Sequence, residues 1–566
     1  MVNWQSRKLG DILLLANGIV FLILVNILSS LLFFRLDLTE EGRYSIKVPT
    51  KELLASLEGE VHIEVFLAGE LNAGFRRFQK SIRETLEEFR VHSDNKIQYT
   101  FTDPATAMSS KAQAEFMNDL AQKGIQPTRV VDMKDGQRIE KIIYPGAVVS
   151  YGVAEKGVHL LKGNKARSQE EEINQSIEGI EFELANAIYA LTNDEPRRVG
   201  WVTGHGEIGG LEAASFMNAL SEVYAVGNVS LASDDLSLFD ALIIARPTRE
   251  FSEKEKYRLD QYIMRAGKVL FLLDKLQADM DSVSQEMYFA FPYELNLDDQ
   301  LFRYGVRINM DLVQDRTSGR YPVVTNQSGT TPQIQLMPWE FFPLITNYAD
   351  HPITRNLDAV VLKFVSSIDT VKATGITKTP LFFTSHQARV MGAPVNVSLQ
   401  HLRRNYKPED FSSSYLPVAY LLEGSFSSLY RNRFLPEGES RAAFRESGEP
   451  TRLIVVSDGD LATNVVNPES GEPLPLGFDP FGGYRFANED LLMNMVAYLV
   501  DEDGLIHARN KEVRIRPLQR DRAAAEKTKW QTINIGIPLG LIVVFGLVRN
   551  FLRKKRYARF PSGNEK

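Results

Sequence analysis

The stretch Trp201-Val202-Thr203-Gly204-His205-Gly206-Glu207 holds an imidazole between two glycines, with a carboxylate two residues on. Asp274 follows the apolar run VLFLL, and Asp458 with Asp460 follows LIVVS. A histidine and several carboxylates at strand ends are the residue types that bind a divalent metal or exchange protons with a substrate. The same pattern has an architectural meaning. Glycines on both sides of a residue let the chain turn sharply out of a buried strand, and an aspartate that ends a strand caps the helix after it. Nothing in the spacing selects a metal set or a proton relay over such a turn, so the turn is the preferred reading. Other chemistries are excluded. The chain has no cysteine, which removes thiolate nucleophiles, thiolate metal sites and disulfides. It has no Gly-x-Ser-x-Gly elbow and no Gly-x-x-x-x-Gly-Lys-[Ser/Thr] loop, so neither a serine hydrolase nor a P-loop nucleotidase is written in it.

The elements around these residues read as strands and helices in alternation. RRVGWVTGH, a helix through LEAASFMNALSEV, FDALIIARP, SEKEKYRLDQYIMRAG and KVLFLLD follow one another, and TRLIVVSDGDLATN supplies a further strand much later. That order predicts an open, doubly wound α/β sheet over residues 195–505, whose carboxyl edge carries Gly204, His205, Gly206, Glu207, Asp274 and Asp458 as a candidate crevice. Between about residues 276 and 450 proline and glycine clusters interrupt the pattern and predict an insertion with long loops. Upstream, VHIEVFLAG, a helix with Phe75, Phe78, Ile82, Leu86 and Phe89 on one face, and KIQYTFTDP make a βαβ unit with a parallel pair. KIIYPGAVVSYG and KGVHLLKG add a hairpin to this N-terminal α/β domain, residues 37–165, for which a thioredoxin-like arrangement is one fold that fits. The helix in residues 166–194 connects the two domains.

Two apolar segments frame this body. Ile12–Phe34 is uncharged and long enough to cross a bilayer, which takes about 20 residues, so residues 1–36 form the N-terminus and a first membrane helix. A second span is expected at 530–552, after a juxtamembrane segment at 506–529 and before a basic tail at 553–566. Lysine and arginine flank both spans on the same side, which predicts cytoplasmic termini in the cytoplasmic (inner) membrane and an exported, periplasmic body. That body carries a net charge of about −14, a balance that opposes nucleic acid as a partner. Asn26, Ser29 and Ser30 share one face of the first span, and Gly536 and Gly540, with Pro538 between them, form a small-x-x-x-small pair in the second. Both are expected to be helix-docking faces.

The chain resembles the gliding-motility-associated ABC transporter auxiliary proteins of the GldG type, often labelled substrate-binding components, of Bacteroidota. The resemblance rests on LDLTEEGRYSIKVPTKELLASLEGEVHIEVFLAG, RRVGWVTGHGE, FDALIIARPTREFSEKEKYRLDQYIMRAGKVLFLLD, RLIVVSDGDLATN and FANEDLLMNMVAYLVDEDGLIHARNKEVRIRPL, in this order between two anchors. It implies a membrane subunit that works with a separate ABC permease and ABC ATPase. It also implies a middle domain similar to the GIFT domain, a relative of the class I glutamine-amidotransferase-like fold. That reaction needs a cysteine nucleophile, so a chain without cysteine carries a silent version of the fold, and no enzyme, cofactor or metal is expected. Two alternatives remain: a solute receptor closing over a small ligand, and a metal-dependent hydrolase built on His205, Glu207, Asp274 and Asp458.

Overall fold

A computed structural model of the chain describes residues 7–31, 45–104, 110–134, 137–162, 169–193, 196–283, 288–326, 333–404, 406–501, 504–510 and 525–557. It divides into two compact units, Met1–Glu512 and Val513–Lys566. The first opens with helix α1, Arg7–Leu31, whose described side chains from Ile12 to Asn26 are exposed. Residues 32–34 of the expected first span lie outside the described residues, and the apolar helical stretch among those described is Leu15–Asn26. The second unit holds the helix Lys527–Tyr557, of which Lys527–Lys555 is long and apolar enough to cross a membrane, with a mean hydropathy of 2.0 over its most apolar 18 residues. It contains the expected span at 530–552. Residues 511–524 and 558–566, most of the juxtamembrane segment and the end of the basic tail, are not described.

The N-terminal part of the body contains α2 (Val48–Ala55), β1 (Val61–Val65), α3 (Ala73–His92) and β2 (Ile97–Phe101). β1 and β2 pair in parallel from Val61↔Ile97 to Val65↔Phe101, as the βαβ reading requires. The Asn72 side chain starts α3 by accepting from the Phe75 amide at 3.0 Å, which satisfies one of the open donors of the first turn. Phe75, Phe78, Ile82, Leu86 and Phe89 are all buried in one core, each contributing about 1.5–3 kcal/mol. After α4 (Ser110–Gln122) come a separate hairpin of β3 (Thr128–Lys134) and β4 (Gln137–Ile143), then β5 (Gly146–Tyr151) and β6 (Ala154–His159). The last two complete a sheet in the order β2-β1-β5-β6. Helix α5, Gln169–Thr192, buries Ile173, Ile180, Leu184 and Ile188 in this core and Phe182 in the next.

The second part is built on β7 (Arg198–Thr203), α6 (Ala214–Ser221), β8 (Ala225–Ser230), β9 (Ala241–Ala245), α7 (Glu253–Met264) and β10 (Lys268–Leu272). β8, β7, β9 and β10 lie side by side in parallel, and the late strand Ser447–Val456 joins β10 in parallel, Val269↔Leu453 to Leu272↔Val456. Successive side chains of these strands enter opposite cores. Trp201, Ile243, Leu270 and Ile454 pack with α6 and the helix Asn488–Val500 on one face, and Val202, Ile244, Phe271 and Val455 pack with α7 on the other.

The segment expected to be an insertion with long loops is instead rich in strands. Three of them, Pro417–Ser427, Ile376–Phe383 and Asn347–Tyr348, extend the same sheet antiparallel beyond Ser447–Val456, which brings it to eight strands. Many strands of this segment span two to five residues, too short for a periodic pattern to stand out from the prolines and glycines between them.

Buried Asp260 on α7 fixes part of this segment in place. It accepts from Tyr304 Oη at 2.8 Å, Ser428 Oγ at 2.6 Å and the Leu429 amide at 2.9 Å, so it ties a short helix, a turn and α7 together. Asp260→Ala leaves three donors without an acceptor and should cost about 3 kcal/mol. Urea unfolding of the full chain in mild detergent checks this; a midpoint equal to wild type would show that the network adds nothing.

Candidate functional site

At the carboxyl end of β7 the backbone leaves the sheet through Gly204 (φ 125°) and Gly206 (φ 74°), a left-handed region that favours glycine. A Cβ on Gly206 would also stand 2.1 Å from Thr248 Oγ1. The turn is fastened to the segment after β9: the His205 carbonyl accepts from the Thr248 and Arg249 amides at 2.8 Å each, and the Ile208 amide donates to the Ala245 carbonyl at 3.1 Å. The strand order β8-β7-β9 makes this the point where the chain reverses direction across the sheet, the usual place for a ligand crevice in open α/β folds. Here the two loops are hydrogen-bonded directly to each other.

The His205 side chain is buried and faces inward. Its ring stacks on Phe251, with centroids 3.7 Å apart and planes 10° apart. Nδ1 lies 3.1 Å from Glu207 Oε1 and Nε2 lies 3.3 Å from Glu255 Oε1, while the His205 amide donates to Glu207 Oε2 at 2.7 Å. Burial by itself pushes the imidazole pKa down, but the hydrogen bonds and charges of Glu207 and Glu255 outweigh it and hold the group above its ordinary 6.5. Glu255 in turn belongs to the cap of α7: its other oxygen accepts from the Ser252 amide at 3.0 Å, and Ser252 Oγ accepts from the Glu255 amide. Burial raises the Glu255 pKa, yet the bonds from Ser252 and His205 bring it below the usual carboxylate value. His205 therefore links the turn after β7 to the start of α7.

The aspartates form a second group, after β10 and Ser447–Val456. Asp274 Oδ1 accepts from the Gly459 amide at 2.6 Å, and Asp458 accepts from the Lys363 amide at 2.7 Å and the Leu461 amide at 3.0 Å. Arg246, directly after β9, has a left-handed backbone (φ 52°) and pairs with Asp460 at 2.5 Å. Burial and the neighbouring carboxylates push Asp274 well above the carboxylate range and Asp458 up to about 8. Asp458 caps its own turn through the Leu461 amide, whereas Asp274 accepts from the turn after the neighbouring strand rather than from a helix of its own. Among the described residues no hydrogen bond or ion pair joins the side chains of this group to that of His205. A shallow opening of about 440 Å³ touches Thr203, Gly204, Gly206, Glu207 and Arg249 but neither Asp274 nor Asp458. Among the described residues no three His, Asp or Glu side chains are arranged to hold a metal ion.

Sequence reading missed Glu255, Phe251, Arg246 and Lys363 as partners. A signal existed for Glu255, because Ser252-x-x-Glu255 is a capping-box spacing. For the others none did, since their proximity comes from strand order. At the two helices expected to cross the membrane, Asn26 is exposed, the side chains of Ser29 and Ser30 lie outside the described residues, and a Cβ on Gly536 or Gly540 would meet nothing within 4 Å. Pro538 sits inside the helix between them.

Residues 196–495 match the family described as ABC-type uncharacterized transport system, and residues 40–150 match a domain of unknown function, DUF7088. An uncharacterized protein of Borreliella burgdorferi is 22% identical over 572 residues, covering 98% of this chain and 100% of its own length. A solved structure described as mmIFT52 N-terminal domain covers 54% of this chain and 98% of its own at 12% identity, with a TM-score of 0.31, a likeness too loose to bear on the fold.

The His205 cluster should be visible in stability against pH. A histidine whose folded pKa is raised stabilises fully below its unfolded value of 6.5 and loses that contribution as pH rises through the folded value. Glu255, with a lowered folded pKa, stabilises above its unfolded 4.5 and loses this as pH falls. His205→Gln should therefore cost most between these two values, roughly 3 kcal/mol, and less as the solution turns alkaline. Unfolding midpoints of wild type and variant across pH measure it; a difference independent of pH would contradict a charged His205.

Proposed function

We propose that this chain, which belongs to the ABC-type uncharacterized transport system family, is a non-catalytic, membrane-anchored subunit whose body works beside a separate permease and ATPase. The family match over residues 196–495 carries the proposal, because it spans the whole parallel core of the large sheet. Two features support it. At the crevice position of the sheet the loops are bonded directly to each other beside the shallow opening, and the charged groups there hold turns in place. The helix at Lys527–Lys555 supplies an apolar segment of membrane-crossing length.

The finer part of the proposal comes from sequence. The two anchors follow from the apolar length of each segment, and the cytoplasmic membrane location, cytoplasmic termini and a periplasmic body follow from lysine and arginine placement. The GldG-type, gliding-motility assignment and the thioredoxin-like and GIFT-like domain types follow from the resemblance and the element order. A metal-dependent hydrolase draws no support from the geometry around His205. A solute receptor is the alternative, and it requires a ligand cleft separate from the His205 turn.

Purification of the full chain from native membranes in mild detergent, followed by mass spectrometry, should return a permease and an ABC ATPase in fixed ratio. Recovery of the chain alone would count against the proposal. The strip of Gly536 and Gly540 should dock on permease helices, with Asn26, Ser29 and Ser30 as a polar counterpart. Gly536→Leu with Gly540→Leu should leave insertion intact and lower co-purification several-fold. Asn26→Leu should change it by less than about threefold, since an interhelical hydrogen bond averages only about 0.6 kcal/mol. Wild-type yield from the double variant would remove the docking strip. Alkaline phosphatase fused after Lys566 should be inactive if the C-terminus is cytoplasmic.

A further inference from the structure

A larger opening lies away from the His205 turn. The short helix Asp298–Tyr304, the strand Val306–Ile308, the loop after Ile368–Thr370 and the turn Leu429–Asn432 enclose a cleft of about 1150 Å³. Its lining holds six cations, Lys275, Arg303, Arg307, Lys372, Arg431 and Arg433, against two carboxylates, Asp298 and Asp299. This positive excess stands in a body whose own net charge is about −14, so composition does not account for it.

Four of the cations have carboxylate partners. Lys275 is 2.7 Å from Asp298, Arg433 2.6 Å from Asp299, Arg307 2.8 Å from Asp369, and Arg431 3.7 Å from Glu446. Among the described residues, Arg303 and Lys372 are exposed and make no ion pair. They sit on segments that are fastened together, because the Val371 amide donates to the Gly305 carbonyl at 2.9 Å. Beside them Phe302 and Met310 are 50% and 56% exposed in the same lining, so the cleft offers apolar surface next to its cations. The walls are held from behind. Buried Lys256 on α7 pairs with Asp299 at 2.8 Å, and Asp260 grips both Tyr304 and Leu429. A cleft fixed in this way loses little conformational freedom when it binds a ligand.

We propose that this cleft binds a small polyanion with an apolar or aromatic part. Its acidic groups are held by Arg303 and Lys372 and its apolar part lies against Phe302 and Met310. The guanidinium fork suits phosphate and carboxylate alike, and the field of the surrounding cations concentrates such anions in the cleft. Binding does not depend on whether the chain acts as receptor or as scaffold within a transporter.

The probe is pyrenetetrasulfonate, a rigid aromatic polyanion that stays out of lipid, titrated into the full chain in nanodiscs and read by fluorescence anisotropy. Arg303→Ser with Lys372→Ser should weaken binding by about tenfold or more, and Phe302→Ser several-fold. Arg76→Ser with Lys254→Ser removes two exposed cations elsewhere and should leave the affinity within about twofold. Raising NaCl to about 0.5 M should weaken wild-type binding without any substitution. Competition separates the sources: pyrophosphate displacing the probe better than citrate indicates phosphate, and the reverse indicates carboxylate. Equal affinity of wild type and the cleft double variant, or an equal fall in the Arg76 and Lys254 control, overturns the proposal.

Discussion

Five parallel strands, all but the edge strand β8 buried on both faces, govern the body of this protein. Their interior side chains are aliphatic or aromatic almost without exception, as in ALIIA and VLFLL, because a polar group there would have no partner. Polar chemistry is therefore pushed to the strand ends, where turns expose backbone amides that need acceptors. His205, Asp274 and Asp458 stand at those ends, and each is occupied with that need. His205 bonds the turn after β7 to α7 through Glu255, while the two aspartates accept from amides of neighbouring turns.

The same constraint separates rigidity from recognition. At the reversal point of the sheet, loops that could part around a ligand are bonded to each other by the His205 carbonyl. The residues 276–450 are under less constraint, because short strands and turns can carry charge and exposed apolar groups without disturbing the parallel core. The cationic cleft belongs to this segment, and its walls still borrow stiffness from α7 through Lys256 and Asp260. Buried charges of this kind are tolerated only when a partner offsets the lost hydration: Lys256 pairs with Asp299, and Asp260 accepts hydrogen bonds from Tyr304, Ser428 and Leu429.

Much of the architecture could be read directly. The heptad-like spacing of Phe75, Phe78, Ile82, Leu86 and Phe89 and the β-branched runs on either side of it are local signals, and they produce α3 between the parallel β1 and β2. The alternation from RRVGWVTGH to KVLFLLD is of the same sort. Residues 276–450 were legible as a break in the pattern but not as strands completing the sheet, because partners such as Tyr420 and Val455 are joined by register across the fold rather than by spacing.

The sequence alone determined the chemistry that is missing, since absent cysteine and absent phosphate loops need no coordinates. It also determined the positions of the membrane-length apolar segment and the strand-ending turns, because glycine conformation and apolar length are properties of consecutive residues. Only the tertiary structure decided what His205 touches, that Asp274 and Asp458 belong to a different group, and that Arg303 and Lys372 share one cleft. Those relations depend on strand order and crossover, which bring together residues tens to hundreds of positions apart, and no local periodicity encodes them.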